Sequence, residues 1–482
     1  MSHARPDGEH PVEASGRSPT LLRALGVTLI GALAPGSALL VAGRRRLGAA
    51  VLAIFAILIG GTGYLLVVRY DDILRLVLQP RWLTWIIVVC VSIGLAWVGT
   101  VLASHMMLRP PAMSRFQRLI EAVCVGTICC AVLTPFVVVV NYSAAQKSFI
   151  SDVFAPAIET HYATRPTDVS EEDPWGGRDR VSILLLGGDA GPDRVGTRTD
   201  TIMVATMDTE TGRTVLFSLP RNLEMVPFPQ DSPLHKLYPN GFTGEGDPLE
   251  YMLNAVYGNV PAMHPGVLGK SDNEGADALK LAVSGALGIQ IDYYALIDLQ
   301  GFTELIDAMG GVTVNVNEPI PIGGIEGEKE PDGYIAPGPD KKLDGFRALW
   351  FARGRYGLDD YNRMRRQRCL VSAMVDEVNL MTLLTRYKKI LAAGREILET
   401  DIPAEILPAF VDLARLVQDG KVRSVVFERS EQFSPSSPDY DFVHETVQEA
   451  LSGDRPSPNK PRNRPDTLVE KPEDSCAYEP VQ

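Results

Sequence analysis

Four apolar stretches in the first third of the chain restrict its possible folds more than any other feature. They run roughly over Ala24–Gly43, Leu47–Val68, Thr84–Met107 and Ile120–Asn141. Each is near the ~20 residues that cross a bilayer as an α-helix. Burial in a soluble domain is the other reading, and composition opposes it: Glu121 is the only Asp, Glu, Lys or Arg in all four. About four transmembrane helices are therefore expected, filling residues 21–142. Residues 1–20 are polar, without an apolar period, and read as a disordered tail. Further spans follow the first, and no small-residue cleavage site closes it, so a removable signal peptide is not expected.

The arginines between the stretches set the orientation. Arg44, Arg45 and Arg46 separate the first two, and Arg109, Arg115 and Arg118 the last two. The excess of Lys and Arg in cytoplasmic loops assigns both loops to the inside. The middle loop mixes Asp71 and Asp72 with Arg69, Arg75 and Arg81, which suits the outer face. Four spans then leave both termini outside. The first stretch contains Pro35; if it is only re-entrant, three spans remain and the N-terminus is cytoplasmic. In either case the C-terminal part is extracytoplasmic.

Residues 143–178 read as a juxtamembrane helix running into a linker. Beyond them the pattern alternates. Val181–Leu186 reads as a buried strand ending in the loop Gly187-Gly188-Asp189, and Thr201–Met207 and Thr214–Leu219 as a hairpin through Thr211-Gly212. Asp277–Leu287 and Gly301–Met309 read as helices, Tyr293–Ile297 and Val312–Val316 as strands. Asp344–Phe351, a longer helix from Asp359 or Asp360 towards Met381, Leu383–Leu398, Pro403–Leu416 and His444–Leu451 read as helical, with a late strand at Val422–Phe427. Strands interleaved with helices predict an α/β domain over residues 179–451, a three-layer α-β-α sandwich with a mixed central sheet. The tail, 452–482, is rich in Pro, Asn and charge and is expected to be disordered.

Chemistry concentrates in one segment. The chain has a net charge of -13, yet Arg347 to Arg368 holds seven arginines, no lysine and two aspartates. Arginine alone suits a flat, permanently charged fork for carboxylates or phosphates. With a helix starting at Asp360, Asp360, Arg363, Met364, Gln367 and Val371 share a stripe, and Arg365 points to solvent. Arg353 and Arg355 precede the helix in an irregular, glycine-containing segment, able to turn towards its anion-attracting N-terminus. That set suits a pyrophosphate; arginines paired with surface carboxylates are the plainer reading.

A second constellation runs from Gly187 to Asn222. Asp189 follows a buried strand, Arg198 and Asp200 precede the next, and Arg221 ends the third. Aspartates beside a phosphate are natural Mg²⁺ ligands, though on the residues alone loop-turn duty is the stronger reading. The glycine loop lacks Gly-Lys-Ser/Thr and is no P-loop. The seven histidines show no metal-ligand spacing, and no Ser, Cys or His constellation presents itself. Four of six cysteines lie in apolar runs; Cys369 and Cys476 are free to pair if they lie outside the cytoplasm.

These motifs resemble the LytR–CpsA–Psr family. The resemblance is carried by Leu184–Asp189, Thr197–Ala205, Ser218–Arg221, Asp292–Tyr294 with Gly301-Phe302, Gly310–Asn315 and Arg353-Gly354-Arg355 through Arg366-Gln367. It spans about Val181 to Leu451. It implies a membrane-anchored, Mg²⁺-dependent phosphotransferase that moves a glycopolymer from a polyprenyl-pyrophosphate lipid onto peptidoglycan. By motif, Asp189 and Asp200 would be metal ligands, and Arg198, Arg221, Arg353, Arg355 and Arg363 would hold pyrophosphate. Asp360, Arg363 and Gln367 would be catalytic, Asp360 orienting arginines or accepting the acceptor hydroxyl's proton. Asn222 stands where the family often has Asp, and Arg368 where a second Gln is common; the latter is expected to alter only the helix surface. Family members usually have one span. An apolar slot for the lipid is expected along Tyr293–Leu299 and Leu305–Val316.

Two other functions fit parts of the pattern. A lipid-pyrophosphate binding or hydrolysing module would use the same phosphate grip without transfer. A membrane-tethered regulator binding nucleic acid is opposed by topology and by the lack of a helix-turn-helix pattern, so no nucleic-acid partner is expected.

Overall fold

A computed structural model describes residues 21–111, 113–154, 156, 158–189, 198–358, 360–377, 389–394, 398–420, 422–452, 469–470 and 476–479. At Asp189, Arg198, Asp200 and Asp360 it describes the backbone and not the side chain. The expected N-terminal tail, 1–20, lies outside the described residues. The chain divides into two compact units, Met1–Val77 with Arg81–Ala144, and Leu78–Pro80 with Ala145–Gln482.

The first unit is helical: α1 (Leu21–Leu33), α2 (Ser37–Val41), α3 (Arg45–Val68), α4 (Tyr70–Val77), α5 (Pro80–Leu108) and α6, which begins at Arg115 and runs to Val153. Among the described residues, three helices, α3, α5 and α6, are long and apolar enough to cross a membrane. The fourth expected span is corrected. Proline cannot donate to the helix ladder and its ring obstructs the preceding turn, so the run breaks around Pro35 into helices of 13 and 5 residues. Gly36 takes φ 101°, and a Cβ there would meet the Gly48 carbonyl oxygen at 2.5 Å. The lone acidic residue of the spans is paired. Glu121 Oε1 lies 2.9 Å from His105 Nε2 and Oε2 lies 2.9 Å from Arg109 Nη2, while His105 Nδ1 is 2.8 Å from Thr28 Oγ1. Polar groups of α1, α5 and α6 thus satisfy one another where lipid offers no partner. The juxtamembrane helix expected from residue 143 is the uninterrupted end of α6.

The second unit is built on a seven-stranded sheet of order β11-β10-β3-β2-β1-β4-β9. Its members are β1 (Arg180–Asp189), β2 (Arg198–Asp208), β3 (Thr214–Leu219), β4 (Tyr293–Asp298), β9 (Leu398–Thr400), β10 (Val422–Val426) and β11 (Val469–Glu470). The sheet is mixed: β1 pairs antiparallel with β2 and parallel with β4, and β3 pairs antiparallel with β2 and parallel with β10. Helices cover both faces. On one, α8 (Val256–Met263), α9 (Glu274–Leu287) and α15 (Tyr440–Ser452) bury Val256, Leu279, Val283 and Val447 against Leu184, Val204, Phe217 and Val425. On the other, α14 (Leu407–Asp419) packs Phe410 and Leu413 on Val181 and Tyr293. Alternation explains the division, since paired residues share a face and successive ones do not.

Three expectations for this unit change. Gly187-Gly188-Asp189 belongs to β1 rather than to a loop: the strand continues through a register shift at Gly187/Gly188 to the pair Asp189↔Arg198. β5 (Val312–Val316) leaves the central sheet and pairs with β8 (Gly338–Leu343), beside the small hairpin of β6 (Ile320–Ile322) and β7 (Gly333–Ile335). This pair shares a separate core with α10 (Leu299–Met309), α11 (Gly345–Arg353) and α12 (Asp360–Glu377), through Ile306, Val314, Phe351 and Leu370. Finally, parts of the tail are ordered without a core of their own. Val469 and Glu470 pair with the edge of β10, and Cys476 forms a disulfide with Cys369. Of the expected helix at 383–398, residues 389–394 are helical (α13), 398 opens β9, and 383–388 and 395–397 lie outside the described residues.

Candidate functional site

Strand ends and the start of one helix lie at the same end of the sheet, which places part of the candidate set by its backbone. The pairs Asp189↔Arg198, Gly188↔Asp298 and Ile202↔Leu219 put the ends of β1, β2, β3 and β4 side by side. Asp200 falls at the β1–β2 register shift, so its backbone lies within two residues of the Asp189↔Arg198 pair. Arg221 follows β3 by two residues, and its carbonyl accepts the Asn254 N–H at 3.0 Å. The side chains of Asp189, Arg198, Asp200 and Asp360 lie outside the described residues. By residue type, two aspartates at neighbouring strand ends would supply the hard oxygen donors that Mg²⁺ takes. Among the described residues no group of three metal-ligating side chains occurs.

The second half of the site is α12 and the corner before it. The Tyr361 hydroxyl accepts the Arg429 N–H at 2.7 Å just beyond β10, and Arg368 Nη1 donates to Ser424 Oγ on β10 at 3.0 Å. α12 therefore lies across the sheet face that carries Ser218 and Ser424. Arg366 reaches back to α11: its Nε donates to the Phe351 carbonyl at 2.7 Å, its Nη2 donates to the Gly354 carbonyl, and its Nη1 lies 3.6 Å from Glu318 Oε1. Gln367 Nε2 donates to the Ala352 carbonyl at 3.2 Å. Arg353 and Arg355 are thus carried on a corner whose carbonyls are clamped from α12.

The structure bears out the expected helix phase in part. Arg363 is 3% exposed and Arg365 is exposed, as the stripe requires. The helix is nonetheless enclosed on more than one side, since Arg366 and Arg368 are also buried, at 7% and 1%. Arg368 is a buried anchor and not part of the helix surface; one side of α12 meets the sheet and the other meets the second core. Arg353 closes the last turn of α11 instead of lying in an irregular segment, with its guanidinium 5.2 Å from the Trp350 ring centroid. Arg355 is exposed in the turn that follows. Sequence reasoning missed Arg366 as a clamp, Arg429 at the end of β10, and Asp298, whose carboxylate caps α10 by accepting the Gly301 N–H at 2.6 Å. The signal for Arg366 was its lack of an exposed carboxylate partner at helical spacing.

An apolar cluster stands near the β4 end of the site. Ile297 on β4, Leu305 and Ala308 on α10, and Ile390 and Ala393 on α13 pack together. Both regions expected to form a slot contribute to it.

The profile of the LytR_cpsA_psr family matches residues 148–451, more than half of the chain. The protein belongs to the LytR–CpsA–Psr family. Among its relatives, it is 29% identical over 301 residues to the polyisoprenyl-teichoic acid–peptidoglycan teichoic acid transferase TagU of Enterococcus faecalis, covering 61% of this chain and 83% of that protein. It is 28% identical over 277 residues to biofilm regulatory protein A of Streptococcus mutans, covering 56% of this chain and 60% of that one. A solved structure described as TagT bound to LIIa-WTA aligns at 18% identity and TM-score 0.41, over 62% of this chain and 97% of the other.

Proposed function

We propose that this protein is a membrane-anchored phosphotransferase that moves a glycopolymer from a polyprenyl-pyrophosphate carrier onto peptidoglycan, releasing polyprenyl phosphate. The observation that carries the reading is the clamped corner. Arg366 and Gln367, three and four residues after buried Arg363 on α12, hold the backbone that bears Arg353 and Arg355, and α12 begins at the sheet end where the backbones of Asp189, Arg198 and Asp200 lie side by side. Preorganised charge is the main requirement for phosphoryl transfer, because negative charge spreads over phosphoryl oxygens in the transition state. The transferases among its relatives support the same chemistry.

Arg198, Arg221, Arg353, Arg355 and Arg363 bind the pyrophosphate. The attacking sugar hydroxyl forms a new P–O bond to the glycan-bearing phosphorus as the bond to the polyprenyl phosphate oxygen breaks. Asp360 takes the hydroxyl proton or orients the arginines, and Gln367 keeps the corner in register. Asp189 and Asp200 would hold Mg²⁺, which when bound supplies further positive charge to the phosphates. The lipid chain takes the apolar cluster of Ile297, Leu305, Ala308, Ile390 and Ala393.

The catalytic domain faces the outside of the cell membrane on this reading. The basic loops at Arg44–Arg46 and Arg109–Arg118 support it, and the Cys369–Cys476 disulfide suits an oxidising compartment. The test is to incubate the full-length protein with a polyprenyl-pyrophosphate glycan, Mg²⁺ and peptidoglycan. Polymer joined to peptidoglycan through a phosphodiester is the expected product; free glycan phosphate alone would replace transfer by hydrolysis.

A further inference from the structure

The transfer reading assigns residues to the donor and leaves the acceptor without a surface, and the β6–β7 hairpin stands beside the donor grip. The hairpin is anchored to the arginine corner at several points. Glu318, just before β6, faces Arg366, and a Cβ on Gly354 would meet the Pro321 carbonyl oxygen at 2.7 Å. The Tyr356 hydroxyl, one residue after Arg355, donates to Glu330 Oε1 at 2.9 Å. Its tip is closed: Ile325 and Lys329 exchange both backbone hydrogen bonds at 2.8 Å. Gly324, at φ 85°, lets the tip fold onto Tyr356, because a Cβ there would stand 3.0 Å from the Tyr356 ring and 3.1 Å from Pro331. The tip is thus tied to the same segment as Arg353 and Arg355.

The outer surface of this hairpin has a composition unlike the grip beside it. Tyr334 is 53% and Ile325 is 56% exposed. Glu326, Glu328 and Glu330 provide carboxylates, and the one lysine of the tip, Lys329, is 2.9 Å from Asp332. The Tyr356 phenol is held above its ordinary range, first by its hydrogen bond to Glu330, with burial, Glu330, Tyr334 and Glu326 adding to the effect. Geometry ties the two tyrosines to one corner: Tyr334 pairs with Pro321 across the hairpin, and the Pro321 carbonyl lies against Gly354, two residues before Tyr356. Such a surface repels phosphates, so it suits an uncharged sugar better than a phosphate-rich donor polymer. Aromatic side chains with an apolar face and a polar edge suit a pyranose, whose C–H face stacks while its hydroxyls donate to carboxylates.

We propose that the β6–β7 hairpin with Tyr356 is the acceptor subsite. It binds a pyranose of the peptidoglycan strand on Tyr334 and Tyr356, with Glu326 and Glu330 accepting from sugar hydroxyls or from amines of the attached peptide. Glu330 also acts as a positioning residue for Tyr356. The inference rests on the transfer reading for its role and on the hairpin alone for its ligand.

The experiment separates the two. Binding of a soluble peptidoglycan oligosaccharide to the detergent-solubilised full chain is measured for the wild type, Tyr334→Ala and Glu330→Gln, along with binding of a short polyprenyl-pyrophosphate glycan. Both variants change exposed side chains, and a thermal melt checks that each is folded. The expected result is roughly tenfold weaker oligosaccharide binding in Tyr334→Ala, the size of a lost stacking contact, with donor affinity unaltered. In the transfer assay the acceptor KM rises in step. Wild-type binding of oligosaccharide that persists undiminished in Tyr334→Ala overturns the proposal. So do failure of the wild type to bind it and a loss confined to donor binding. Oligosaccharide binding lost in the variant, with no transfer by the wild type, would remove the transferase reading and keep the subsite.

Discussion

Arg366 donates to the carbonyls of Phe351 and Gly354, so its charge fixes the backbone from which its neighbours act. Buried arginine donors of this kind contribute more than neutral ones, and removing them leaves carbonyls without partners. Arg366→Ala is expected to cost about 3 kcal/mol of stability and to lower transfer as well, read by thermal unfolding and by the coupled assay. Arg353→Ala and Arg355→Ala are expected to abolish transfer while leaving the melting temperature near wild type. Arg365→Ala is expected to change neither, because its side chain is in solvent. Equal loss in all three would contradict the phase of α12. The seven-arginine cluster was visible in the sequence, but the separation of its members into grip, clamp and anchor was not. Arg366 and Arg368 are buried by partners distant in sequence, Phe351, Gly354 and Ser424, that no local period encodes.

At the level of elements, a buried ion pair joins the edge of the sheet to its covering helix. Lys280 on α9 lies 2.7 Å from Asp401 Oδ2 and also donates to the Asp292 carbonyl at 2.7 Å. Removing one partner strands the other charge, so Lys280→Met is expected to cost roughly 3–5 kcal/mol, measured by thermal or denaturant unfolding. Burial holds the carboxyls of Asp401 and Asp292 above their ordinary range despite Lys280 and, for Asp292, Arg178. A raised folded value means that their contribution is fully present below the unfolded carboxylate pKa and is lost as the pH rises through the folded one. The melting temperature is expected to fall as the pH rises above the ordinary carboxylate value of about 4, and to fall less in Asp292→Asn. Elements with strong local punctuation were legible. α9 ends at Gly288 in the left-handed conformation and the β2–β3 turn falls at Gly212, φ 68°, both as expected, whereas α9 begins behind the Asn273 cap, at Glu274 rather than at Asp277. The departure of β5 to a second sheet was not, because its partner β8 is a charged strand, Gly338–Leu343, without strand-like alternation.

For the whole molecule, the number of spans is the point at which composition misled. Apolar content made α1 and α2 read as one crossing, whereas the break at Pro35 leaves three crossing-length helices among the described residues. With three spans, the basic loops predict opposite sides for the two termini. Reporters fused before residue 21 and after residue 482 are expected to read cytoplasmic and extracytoplasmic respectively; the same compartment for both would restore four spans. The disulfide spans 107 residues of sequence, and Cys476→Ser is expected to cost about 2–5 kcal/mol by freeing that loop in the unfolded chain, read as a lower melting temperature that matches wild type under reduction.

That same bond also fixes an order of assembly. Cys369 lies two residues after Gln367, on the helix that clamps the arginine corner, and its partner follows 107 residues later. During synthesis, α12 can therefore be stapled only after β9, β10, α14 and α15 have all emerged. The arginine helix is among the last parts of the domain to be locked, and the lock requires an oxidant at the place where the chain finishes folding. A copy held in a reducing compartment would have every residue of the site and lack the fastening that holds its helix.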